Sequence, residues 1–507
     1  MPDAVREVAL DLELPASETA GLSRTPALVR LRVGRPRGTA IRLVWLDTPD
    51  AALAGEGLQL CERRVGRDTV WQLARLRGTK VAPLSPGAPP DVLEQAVDLA
   101  GFARALPAPL LPVAACEGML KTLPLAEAAG SLRITVLDGV LRAVAGEQAV
   151  CRMTLAGTLE EVTALALDLA ADVQACVPPA PLAAQAYVLA GRKLPAAAIG
   201  APGLPVAASV GDAFAAIAAH LTGVLLHWAP LASADAGPEA VHQLRVAVRR
   251  LRSAMSLFRR AVGGPELDAA HHDLRALMAV LGPARDWDVF AAGTGRAVAK
   301  AFPDDPAIAR LVVAVERRRR DAYAALAAFL NGAAFRVLGI RLAGLLAGRP
   351  WERAPAPPDD DPAQREAQDK QAAALAAPLA GFAAHALSRA LTRVNEAGDD
   401  LSVLPADQRH RLRIQVKRLR YATEFLAPLF GPRDARRFIR RAATLQERLG
   451  LLNDGVVAQH LMAQIGGGDR SYAAGVVRGF VAAGLRGAQS KAERSWRKFR
   501  RLEAFWT

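Results

Sequence analysis

The sequence predicts two domains of different class: an α+β domain built on an antiparallel, barrel-like sheet, then an all-α domain of two helical bundles related by a pseudo-twofold axis. Three observations carry this. Apolar residues alternate with polar ones in short runs through much of the first 160 residues, whereas helical periodicity dominates from about residue 209 onward. Charge divides at the same place. Residues 1–200 hold 20 Lys+Arg against 21 Asp+Glu and residues 201–507 hold 44 against 29, so nearly all of the formal +14 belongs to the second region. The third observation is an internal repeat: His242 to Arg252 returns as His410 to Arg420, 168 residues later, with nine of eleven positions alike in type.

In the first domain, Glu7 to Leu14 places an apolar residue at every second position, as a strand with one dry face requires. Similar runs predict strands over 27–33, 40–46, 69–76, 132–137 and 150–155, with turn signals such as Gly38-Thr39 and Asp138-Gly139 between several of them. Val92–Ala105 and Leu159–Ala175 read as covering helices. Cys61, Cys116, Cys151 and Cys176 match neither a metal-site spacing nor a dense disulfide scaffold, and are expected as buried free thiols.

Leu46-Asp47-Thr48-Pro49-Asp50, Leu53, Gly57 and Leu60, behind the strand at Glu7, resemble the signature of the CYTH family, the triphosphate-tunnel barrel of adenylate cyclases and triphosphatases. The resemblance spans 1–195 and implies a tunnel that holds triphosphate and divalent metal. The family's Glu-x-Glu-x-Lys strand, aligned on Glu7, meets Ala9 and Asp11 at its second and third positions. Leu60-Cys61-Glu62-Arg63 replaces Leu-Arg-x-Arg, the strand that usually offers two glutamates reads Cys151-Arg152-Met153-Thr154, and the closing Ser-Lys motif finds no match in Pro181 to Ala184. Phosphoryl chemistry with two metals needs clustered carboxylates. The domain is therefore expected to be degenerate, a structural or docking barrel. Arg30, Arg32, Arg42, Arg63 and Arg75 fit either a tunnel lining or solvated strand faces.

The Pro/Gly/Ala stretch at 196–206 is a linker, and 207–507 is the helical domain. Its first repeat spans 207–348 and its second 366–507, separated by a Pro- and Asp-rich segment at 349–365 that reads as a mobile loop. Helices are predicted at 209–230, 239–262, 264–281, 285–300, 306–330 and 333–347, then at 366–396, 405–429, 433–450, 453–465, 470–483 and 487–502.

On a helix of 100° per residue, His242, Arg245, Arg249 and Arg252 fall within about 80° of one another. Leu244, Val248, Leu251, Met255 and Phe258 gather on the other side. His410, Arg413, Lys417 and Arg420 repeat the stripe, while Arg250 and Arg418 sit toward its rim. No acidic residue between Val241 and Arg260 neutralises the first stripe, so an anion is expected to compensate it. Lys491, Arg494, Lys498 and Arg501 share a similar phase on the last helix, with Arg310, Arg317 and Arg320 as a partial counterpart; they fit an extension of this surface or a solvated face.

Leu281-Gly282 and Asp286 follow the first motif as Leu449-Gly450 and Asp454 follow the second. The aspartates read as helix caps or arginine partners. Motif and downstream match, both present twice, resemble the CHAD domain, the conserved histidine α-helical domain. That resemblance implies binding of inorganic polyphosphate at a basic surface or pore between the helical halves, and for some members association with polyphosphate or polyhydroxyalkanoate granules. The physics agrees: arginine forks hold phosphate oxygens in pairs and lysine acts as a point charge. His242 and His410 fit a hydrogen-bonding ligand role or a role in orienting the arginines.

No second His or acidic residue stands three or four residues after either histidine, and no nucleophile–base pair or Gly-rich loop recurs between the copies. The reading assigns no catalytic residue, metal or cofactor, and expects a non-enzymatic polyphosphate binder. Its rival is a metal-dependent CYTH triphosphatase with an accessory helical domain. The motif lacks base-stacking aromatics, so no specific nucleic acid is expected. No signal peptide is expected, because Met1 to Glu7 is acidic and lacks an apolar core, and no transmembrane span is expected, because Asp212, His220 and His227 interrupt the most apolar stretch; together these predict a cytoplasmic protein.

Overall fold

A computed structural model of the chain describes residues 7–19, 21–76, 81–84, 108–194, 199–200, 203–204, 208–352, 362–398, 400–465 and 471–506. Its strands are β1 Val8–Glu13, β2 Arg37–Asp47, β3 Leu58–Val65, β4 Asp68–Arg75, β5 Val81–Leu84, β6 Leu111–Leu123, β7 Arg133–Ala143 and β8 Gly146–Gly157. Among these strands run α1 Pro26–Val29 and α2 Ala52–Gly55, followed by α3 Leu159–Asp172 and α4 Leu182–Leu189. Then come α5 Val210–Ser233, α6 Pro238–Val262, α7 Pro265–Phe290, α8 Arg296–Ala301, α9 Pro306–Asn331, α10 Ala333–Gly348, α11 Pro362–Ala376, α12 Leu379–Asn395, α13 Ala406–Leu426, α14 Pro432–Ala463 and α15 Tyr472–Arg500.

Two units form. The first holds Met1–Ala198 with Asn331–Gly348. Its strands make one curled antiparallel sheet in the order β1-β8-β7-β6-β2-β3-β4-β5. Val8, Leu10 and Leu12 of β1 and Met153 and Leu155 of β8 pack beneath Val162, Leu165 and Leu169 of α3 and Ile340 of α10. α3 opens with a capping box, in which the Glu161 amide donates to Thr158 Oγ1 at 3.2 Å and the Thr158 amide donates to Glu161 Oε2 at 3.0 Å. α10 closes on α3 so tightly that a Cβ on Gly348 would lie 2.4 Å from Leu159 Cδ2, so a larger residue there would have to displace the Leu159 side chain.

A second apolar cluster sets Trp45, Cys61, Cys116, Leu141 and Val150 against Ala183, Ala186 and Tyr187 of α4. Cys61, Cys116 and Cys151 are buried free thiols and Cys176 is half-buried. Burial pushes Cys61 up to about 12, so these sulfurs are inert as nucleophiles. The Asp47-Thr48-Pro49-Asp50 signature has a structural role here. Asp47 is buried and accepts the amides of Thr48, Leu53 and Ala54 at 2.8, 2.9 and 3.0 Å, tying β2 to α2.

Where the strand over 27–33 was expected, the chain makes α1 instead, with Pro26 at its first position, where a missing N–H is harmless. β3 and β6, absent from the alternating runs, pair with β2 on either side of it. The predicted helix Val92–Ala105 lies outside the described residues.

The second unit, Ile199–Leu330 with Arg349–Thr507, is helical. Trp287, Phe290, Ile308 and Leu311 from the first copy share a core with Leu461, Met462 and Val477 from the second, so the two halves interlock. The breaks expected at Leu281-Gly282 and Leu449-Gly450 do not occur. α7 runs on through Gly282 and Pro283, and α14 through Gly450. A proline inside a helix costs about 3 kcal/mol. Here Leu277, Leu281, Ala284 and Trp287 around it are all buried, and that packing prevails. Asp286 is thus a mid-helix residue and not a cap. Conversely the expected 366–396 helix is split at Pro378, and α15 is continuous where two helices were expected. The segment at 349–365 begins with an anchored turn, since Trp351 is buried edge-on against Phe214 at 4.9 Å; residues 353–361 lie outside the described residues. By length and composition α5 could cross a membrane, and Val210, Phe214, Ile217, Leu221 and Leu225 on it are buried within the unit.

Candidate anion-binding site

Both repeated helices bury the predicted apolar face: Leu244, Val248, Leu251, Met255 and Phe258 on α6, and Leu412, Val416 and Leu419 on α13. The two helices lie against each other. Arg250 Nη1 donates to Glu424 Oε2 at 2.6 Å, and the Arg249 and Arg250 guanidinium groups sit over the Tyr421 ring at 5.7 and 5.6 Å.

This places Arg245, Arg249, Arg413 and Lys417 together, all half-buried. Burial lowers the Lys417 ammonium from 10.5 to about 7, and Arg249, Arg413, Arg245 and Arg418 add like-charge repulsion. Arg245 is depressed by burial too; Asp286, 4.0 Å away, opposes this, while Arg249, Arg285 and Arg413 reinforce it. His242 is lowered by burial, then by Arg285, Arg249 and Arg245, with Glu239 opposing. Among the described residues no carboxylate lies within ion-pair distance of Arg249 or Lys417, and Arg249 Nε is buried without a hydrogen-bond partner. Cations crowded together and half out of water raise each other's energy, and a multivalent anion among them removes that penalty.

Arg250 is not at the rim. It is 7% exposed and its charge is taken up by Glu424, with Phe425 5.1 Å beneath the guanidinium. Glu424 also pairs with Arg420, whose Nε donates to Gln446 Oε1 at 2.9 Å. Two of the sequence-selected arginines are therefore held within the protein. Part of the expected anionic compensation is internal, supplied by residues outside the motif.

Arg252 is half-buried and is depressed by burial, then by Arg275 and Arg418, the last of which is exposed. The two histidines are not equivalent: His242 is half-buried beside Arg285, and His410 is exposed. Lys491, Arg494 and Lys498 on α15 and Arg501 at its C-terminal cap are exposed, while Trp496 and Phe499 of α15 are buried, with Phe499 5.4 Å from Phe438 of α14. None of these four cations is among the largest influences on Lys417, Arg245 or His242. Arg310, Arg317 and Arg320 are likewise exposed, on α9.

Sequence reasoning missed Arg285 and Arg275 on α7. The signal existed: α6 and α7 form an antiparallel ladder in which His242 faces Arg285, Arg245 faces Gly282, Arg252 faces Arg275 and Arg259 faces Asp268. An assumed break at Gly282 erased that phase.

In the first unit Asp11 accepts the Thr154 hydroxyl at 2.7 Å, and Glu13 lies 3.5 Å from Arg152. Arg30 pairs with Asp168, and Arg42 with Glu117 at 3.1 Å. Among the described residues no group of three or more His, Cys, Asp or Glu could hold a metal ion.

Comparison with known proteins bears on the region that holds this site: residues 215–463 match the CHAD domain. The CHAD domain from the plant Ricinus communis is 29% identical, with 60% of this chain and 96% of that one covered at a TM-score of 0.47. PptA from Streptomyces chartreusis is 16% identical, with coverage of 58% and 99% and a TM-score of 0.41. A Hippeastrum protein described as a putative adenylyl cyclase with dominant triphosphatase activity is 15% identical, with coverage of 37% and 98% and a TM-score of 0.28. No curated protein matches the chain. The curled antiparallel sheet of the first unit is consistent with the CYTH resemblance of its sequence.

Proposed function

We propose that this protein binds inorganic polyphosphate, without turning it over, at the cationic cluster between α6 and α13. The single observation that carries this is the set Arg245, Arg249, Arg413 and Lys417, crowded and half-buried, in which Arg249 and Lys417 have no carboxylate partner among the described residues. Linked phosphates offer one charge each on a thin, flexible chain that can reach between packed side chains. Binding releases counterions, so affinity falls steeply with salt. Association with polyphosphate-bearing granules would follow from the same contact.

The decisive test replaces Arg249 and Lys417 together with alanine. Affinity for long-chain polyphosphate falls about a hundredfold, as expected for two charge-assisted contacts. The slope of log affinity against log salt shrinks by about two. Unchanged binding would sink the assignment. Phosphate release from tripolyphosphate with Mg²⁺ or Mn²⁺ would instead support the triphosphatase reading, which rests on the resemblance of the first unit.

A further inference from the structure

The duplication makes two copies of the motif, but their surroundings differ. In the second copy Glu424 and Gln446 engage Arg420. The residues standing 168 before Glu424 and Tyr421 are Ser256 and Ser253, whose hydroxyls donate to the carbonyls of their own helix at 3.0 and 2.9 Å. Among the described residues no carboxylate lies within ion-pair distance of Arg252, the counterpart of Arg420. Arg252 faces Arg275 of α7 and Arg418 of α13, and its Nε is buried without a hydrogen-bond partner.

The second helix of each copy widens the difference. The face of α7 turned to the stripe is fixed by Gly282, where a Cβ would lie 3.6 Å from Arg245 Nη1, and by the 3.6 Å pair between Arg259 and Asp268. Arg275 and His271 lie seven and eleven residues before Gly282 and Arg285 three after, so all share that face. Their counterparts on α14 are Ala443, Ile439 and Asn453, none of them charged. His271 is lowered by burial, then by Arg252, Arg275 and Arg259, with Asp268 opposing.

On this basis, and resting on the polyphosphate reading above, we infer that Arg252, Arg275, Arg418 and His271 form a second phosphate subsite, extending the central cluster toward α7 of the first copy only. The cations then run as one track, from His242 and Arg285 through Arg249 and Lys417 to Arg275. The side of Glu424 is closed to anions. A short polyphosphate fills the centre, and a longer chain continues onto the α7 side. The subsite thus sets a preference for length.

The test compares tripolyphosphate with long-chain polyphosphate on the full-length protein, wild type and Arg275→Ala. Arg275 is exposed, so its loss leaves the fold intact. Long-chain affinity drops about tenfold, as for one charge-assisted contact, and the salt slope shrinks by about one, while tripolyphosphate binding stays at the wild-type value. Arg441→Ala, an equal charge loss on the far side of α14, leaves both unchanged. An equal drop for both ligands would place Arg275 in the central site and overturn the extension, as would a matching loss in Arg441→Ala or no loss at all. If wild type itself bound no polyphosphate of either length, the functional reading would fall, and the subsite with it.

Discussion

At the scale of the residue, Lys417 is the most informative side chain. Its folded-state pKa of about 7 lies below the 10.5 of an ordinary lysine, so between those values the unfolded chain holds the proton more often than the folded one. Stability therefore rises with pH across that window, and below pH 7 the full penalty of a crowded ammonium is present. Lys417→Met is expected to melt higher than wild type at pH 6.5 and to lose part of the rise toward pH 9; thermal unfolding at the two values measures both. An identical pH trend in the variant would show that Lys417 is not the strained group. Ligand reverses the shift. Phosphates near Lys417 and His242 favour their charged forms, so binding at pH 8 takes up protons. Calorimetry in two buffers of different ionisation enthalpy reads that uptake directly, and Lys417→Arg, charged throughout, reduces it.

At the scale of the element, α6 and α13 meet through a buried ion pair whose acid serves two cations. Arg250 and Glu424 are 8% and 14% exposed in their side chains. Removing the acid strands a buried guanidinium, so Glu424→Gln is expected to destabilise by about 3 kcal/mol, read from denaturant unfolding. A change near zero would mean that Tyr421 and Phe425 alone hold Arg250. The stripe, its apolar back and the pairing of the two repeats were legible because each is set by helical phase, which sequence displays. Glu424 was not, because it sits beyond the motif and lacks a copy at Ser256. The cations of α7 were hidden by a different error. Gly282-Pro283 reads locally as a break, and only the buried Leu281, Ala284 and Trp287 keep the helix whole. In the first unit the same tension gave α1 in place of a strand, since Pro26 starts a helix that the apolar run of 27–33 conceals.

At the scale of the whole molecule, the excess positive charge of residues 201–507 does not by itself choose a partner, because any polyanion gains from counterion release. Depth chooses. Arg245, Arg249, Arg413 and Lys417 are half-buried between packed helices, whereas Lys491, Arg494, Lys498 and Arg501 stand exposed along α15 and its C-terminal cap. On the polyphosphate reading, a bare phosphate chain is expected to thread to the first set. A DNA duplex, wide and stiff over a persistence length of about 150 base pairs, is expected to reach only the second. The two sets are thus separable by mutation. Alanine at all four exposed positions is expected to weaken duplex binding while leaving long-chain polyphosphate near its wild-type affinity, and Arg249→Ala with Lys417→Ala does the reverse. Competition at equal phosphate concentration completes the comparison: polyphosphate displaces duplex DNA from the wild-type protein, and duplex fails to displace polyphosphate. If the duplex wins, or if both mutant sets weaken both ligands alike, the charge acts as an undivided cloud and depth confers no selectivity.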